Sequence, residues 1–100
     1  MDRFLVVFRG ATIGEAEGPA YDPTAWDAWF AGLGGALLDR GALSYGSIEM
    51  PSRLIGPKLS SSALSGYSII TAADFDEAVR VVEACPIFDE KGSVEIAHLR

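Results

Sequence analysis

The sequence predicts an α+β fold with elements in the order β-α-β-β-α-β, and three features of the 100-residue chain predict it. Short β-branched and aromatic runs lie near the start, in the second half and at the end. Two stretches with apolar residues three and four apart fall between them, each opened by an aspartate suited to capping a helix. The composition, 49% hydrophobic and 22% charged, is that of a folded protein rather than a disordered one. One hundred residues fit a single domain spanning 1–100.

The first strand is Phe4-Leu5-Val6-Val7-Phe8, an unbroken apolar run of the kind covered on both faces. Residues 9–21, with three glycines, a proline and two glutamates, read as an irregular connection. Asp22-Pro23-Thr24-Ala25 then opens the first helix, with Asp22 as cap and Pro23 at the first helical position; Thr24 with Asp27 is the alternative frame. Its apolar stripe is Trp26, Trp29, Phe30, Leu33 and Leu37, which carries the expected helix to residues 39–41 despite Gly32, Gly34 and Gly35. A second strand is expected over 43–48, followed by a long excursion through Pro51, Gly56, Pro57 and Ser60-Ser61-Ser62.

Residues 67–71 read as the third strand. Asp74 caps the second helix with Glu77 at the reciprocal position, and the buried stripe is Phe75, Ala78, Val79 and Val82, with Cys85 in phase and Pro86 stopping the helix. The last strand, 93–99, alternates: Val94, Ile96 and His98 face one way, Ser93, Glu95, Ala97 and Leu99 the other. This order is the ferredoxin-like one, in which a four-stranded antiparallel sheet carries two helices on one face. The helices leave the second face open although the first strand and Ile69-Ile70 are apolar on both sides, so a second copy packed sheet to sheet is expected.

Charge and cysteine content exclude several classes of function. A net charge of −6 and a pI near 4.5 disfavour nucleic acid and anionic membranes as partners. One cysteine and one histidine give neither a disulfide framework nor a Cys/His zinc site, so no metal or other cofactor is expected. The amino terminus has no signal-peptide core and no apolar run reaches ~20 residues, which points to a cytoplasmic protein.

Trp26-Asp27-Ala28-Trp29-Phe30, Gly66-Tyr67-Ser68-Ile69-Ile70, Asp76-Glu77-Ala78, Ala84-Cys85-Pro86 and Gly92-Ser93-Val94-Glu95-Ile96 together resemble the YCII-related family, including its DGPF-motif branch. The resemblance implies a dimeric α+β barrel built from ferredoxin-like subunits. In place of a DGPF motif the chain has Ile55-Gly56-Pro57-Lys58. The family's suggested acid-base pair, a first-helix histidine and an aspartate before the proline after the second helix, is missing: the first helix has no histidine, and Cys85 precedes Pro86.

Among the remaining candidates, Cys85 reads as a buried structural thiol, disfavoured as a thiolate at a helix carboxyl end. His98 shares a face with core residues and reads as structural. Glu95 points to the second sheet face, where it either pairs with Arg9 or Arg53 or serves a polar pocket as a general base, with Tyr67 or His98 assisting. Trp26 and Trp29 are core residues of which one can border a cavity. Asp74, Asp76 and Glu77 are explained by helix capping. The expected protein is a homodimer that binds a small, mostly apolar molecule through some of Glu95, Tyr67, His98 and Trp29; a cofactor-free lyase or isomerase with Glu95 as base, and a purely structural or regulatory dimerisation module, are the alternatives.

Overall fold

A computed structural model describes residues 1–10, 22–44, 47–60 and 64–100. The strands are β1 (Asp2–Arg9), β2 (Leu37–Leu43), β3 (Ile48–Glu49), β4 (Lys58–Leu59), β5 (Leu64–Ala72) and β6 (Ser93–His98), with helices α1 (Pro23–Leu33) and α2 (Phe75–Val82). Four strands form an antiparallel sheet in the order β2-β5-β1-β6, and β3 and β4 form a separate two-stranded ribbon. The fold is α+β. Most of the connection expected over 9–21 lies outside the described residues; its first residue, Arg9, ends β1.

Central placement of β1 accounts for its apolar sequence. Phe4, Val6 and Phe8 are fully buried on one face, whereas Leu5 and Val7 are half-buried on the other. Both helices close on the first of these faces: Phe8 meets Trp26 edge-on at 5.0 Å, and Phe4 meets Phe75 at 5.2 Å. Each large apolar side chain buried there contributes roughly 1.5–3 kcal/mol.

Both caps form where the sequence places them. The Asp22 carboxylate accepts from the amides of Thr24 and Ala25, with Pro23 in the first turn. Asp74 accepts from the Glu77 amide, and Glu77 accepts in return from the amide of Ala73, one residue before the cap. Along α2, Ala78 and Val82 are buried with Cys85 beyond them, while Phe75 and Val79 are about half exposed, so the buried stripe is narrower than its spacing predicts.

The expected first-helix end and second strand are both corrected. Helix α1 stops at Leu33, Gly34 takes a left-handed φ of 55°, a 3-10 turn spans Gly34–Ala36, and Leu37 begins β2. Glycine in a left-handed conformation ends the helix before its apolar stripe is complete. The 43–48 segment is therefore not the second strand; Leu43 ends β2 and Ile48 begins the ribbon.

Pairing of β2 with β5 is irregular between Asp39 and Ala42. There the Asp39 carboxylate accepts from the Gly41 amide at 2.8 Å, and the Ser68 hydroxyl donates to the Arg40 carbonyl at 2.6 Å. Gly41 has φ 69°, and a Cβ on it would stand 1.9 Å from the Tyr67 carbonyl oxygen. Gly41→Ala should therefore cost about 2–4 kcal/mol in chemical denaturation, whereas Gly35→Ala, facing open space, should stay within about 0.5 kcal/mol of the parent.

Candidate functional site

Strand register divides the four candidate residues between the two faces of the sheet. Ala42, Tyr67, Val7 and Glu95 lie side by side across β2, β5, β1 and β6, which puts Tyr67 and Glu95 in one row of the outer face with Val7 between them. Trp29 and His98 lie on the helix-covered side. The structure therefore does not assemble Glu95, Tyr67, His98 and Trp29 into one site.

On the outer face Glu95 Oε1 lies 3.3 Å from the Nε of Arg9, one of the two arginines weighed as its partner. Within the single chain both side chains are substantially exposed. Tyr67 stands exposed beside them. On the other side His98 stacks on Phe4 at 4.7 Å and reaches Asp2 with its Nε2 at 3.0 Å. Trp29 packs against Phe8, Trp26 and Phe30.

An open groove of about 420 Å³ lies between α2 and the edge strand β6. Its walls are Val79, Val82, Phe88, Val94 and Ile96, with Glu83 the one charged lining residue. The alternation of β6 turns Val94 and Ile96 towards α2, and a 3-10 turn over Pro86–Phe88 brings Phe88 to the end of the groove. Sequence reading identified the valines and Ile96 only as core residues; the exposure of Val79 and Phe88 is what marks a cleft.

A second cluster was not visible in the sequence. Glu90, 4% exposed, accepts a 2.5 Å hydrogen bond at Oε2 from the indole N–H of Trp26, while its Oε1 and the buried indole N–H of Trp29 have no hydrogen-bond partner among the described residues. Burial holds the Glu90 carboxyl above its ordinary range; the Trp26 hydrogen bond opposes this, and Asp22 and Asp89 add to it. Neighbouring Cys85 is also buried, and desolvation pushes its thiol up to about 12, with Glu90 and Asp89 contributing in the same direction. That thiol is no nucleophile near neutral pH. Glu90 carries no periodic or motif signal in the sequence, because its burial comes from a side-chain contact with a helix 64 positions away.

Among the described residues no group of three or more His, Cys, Asp or Glu could hold a metal ion, and no helix is long and apolar enough to cross a membrane. Comparison with models of known families, with curated proteins and with solved structures finds no match to the chain.

Two outcomes test this electrostatic arrangement. Cys85 should resist an aromatic disulfide reagent in the folded protein up to pH 9 or so and react on unfolding, as burial and a raised pKa require. For Glu90, the folded chain retains a proton that the unfolded chain has released over the window between the ordinary and the raised pKa. Its contribution to stability is therefore present below that window and lost as pH rises through it. Denaturation at a series of pH values should show Glu90→Gln losing less stability than the parent across that rise; parallel curves would exclude a raised Glu90 pKa.

Proposed function

We propose that this protein is a homodimeric ferredoxin-like domain of the YCII-related kind that binds a small, mostly apolar molecule in the groove between α2 and β6. The groove itself carries this reading. A cleft of about 420 Å³ walled by three valines, an isoleucine and a phenylalanine suits an apolar ligand, and such sites are usually concave, apolar and sparsely polar. Glu83 supplies one acceptor for a donor or cationic end of the ligand.

The strand order β2-β5-β1-β6, with strands antiparallel throughout and helices on the Phe4–Phe8 side, supports the ferredoxin-like assignment. The outer face supports the dimer, because Leu5, Val7, Ile69 and Tyr67 form an apolar strip that no described element covers. The family assignment rests on the sequence motifs, and a cytoplasmic location on composition.

Val79 projects into the groove from an exposed position, so Val79→Trp should fill it without disturbing the core. The expected result is a loss of affinity for an apolar anilinonaphthalene dye of about tenfold or more, equivalent to about 1.4 kcal/mol, with an unchanged melting temperature. Undiminished dye binding would place the ligand site elsewhere or remove it. The parent chain should sediment as a particle near twice 10.6 kDa.

A further inference from the structure

The groove between α2 and β6 has polar chemistry in its wall that a purely apolar ligand leaves unused. Glu83 is its one charged lining residue, and the Glu83 carboxylate makes no hydrogen bond or ion pair with any described residue. A ligand lying along the groove takes water from this carboxylate and must supply a donor or a positive charge in return. The carboxyl end of α2 falls at the same place: Glu83 caps the helix, so the partial negative charge of the last carbonyls adds to that of the side chain.

Phe88 adds a feature of independent origin. The 3-10 turn over Pro86–Phe88 holds it in the groove wall, where it is 46% exposed and makes no ring contact with any described residue. The open face of an aromatic ring attracts a cation through its quadrupole. An anion finds no such partner, because Arg80 and Lys91 belong to the flanking segments and not to the groove wall. Residues 74–100 supply every lining residue and carry seven Asp and Glu against three Lys and Arg, so a formal −4 of the chain's −6 lies on the segment that builds the groove.

We propose that the ligand of the α2–β6 groove is an apolar cation, with an alkyl or aryl body on Val79, Val82, Val94 and Ile96 and an ammonium end held by Glu83 and Phe88. This rests on the groove being the ligand site and adds the sign of the ligand's charge. A neutral molecule of the same shape gains the same apolar contacts but leaves Glu83 short of the water it displaces, and a carboxylate in the same position meets like charge.

The test uses three probes with one apolar body, phenylbutyltrimethylammonium, phenylbutanol and phenylbutyrate, each competing with an uncharged anilinonaphthalene dye on the full chain. The ammonium should displace the dye at about tenfold lower concentration than the alcohol, and the carboxylate should need more than the alcohol. Glu83→Gln and Phe88→Leu, both at exposed positions, should each remove most of the ammonium's advantage and leave the alcohol within about twofold of its parental value. Asp76→Asn, which deletes a charge of the same helix outside the groove wall, should leave that advantage in place. Equal displacement by ammonium and alcohol in the parent, with Val79→Trp blocking both, overturns the cation and keeps the groove as the ligand site. An advantage that Asp76→Asn abolishes as fully as Glu83→Gln also overturns it, by assigning the preference to the overall charge of the chain. Absence of dye binding, or dye binding that Val79→Trp leaves undiminished, overturns the groove as the ligand site and the cation with it.

Discussion

The packing of Phe8 against Trp26, and with it the burial of one whole face of β1, is the contact on which the rest of the molecule depends. β1 is an inner strand flanked by β5 and β6, so its Phe4, Val6 and Phe8 form the line on which two helices from distant parts of the chain converge. α1 reaches that line through Trp26, Trp29 and Phe30, and α2 through Ala78 and Val82 with Phe75 at its edge. Aromatic rings meet there mostly edge to face, the arrangement their charge distribution favours.

That convergence creates the buried acid. Trp26 cannot enter the core without hiding its indole N–H, and Glu90 accepts it. The exchange trades one buried polar group for another, since Glu90 is left with an oxygen that no described group satisfies and with Asp22 and Asp89 close enough to oppose its ionisation. Cys85, beside the same cluster, is held as an inert thiol by desolvation, with Glu90 and Asp89 acting in the same direction.

Among the described residues, helices on a single side leave apolar surface in the groove beside β6, on the outer sheet strip and on the β3–β4 ribbon. The Arg9–Glu95 pair lies at the end of the sheet from which the β3–β4 ribbon leaves, and it keeps charge at the margin of the strip rather than at its middle.

How much of this was legible follows from the range of each interaction. The Asp22 and Asp74 caps, the apolar run of β1 and the alternation of β6 are local patterns, and residues within four positions of one another determine them. The alternation of β6 also turns Glu95 towards the outer face, where Arg9 meets it. Leu33 and Leu37 continue a helical stripe beyond the end of α1, while the left-handed turn at Gly34 that overrides it follows from where β2 must join β5. The sequence by itself determined the α+β class, where both helices begin and which side of most elements is apolar, because periodicity and capping act over one or two turns of chain. Only the tertiary structure decided that Glu90 is buried against Trp26, that Glu95 and Tyr67 share a face from which His98 and Trp29 are excluded, and that residues 48–59 stand out as an exposed arm, because each depends on pairings between segments far apart in the chain.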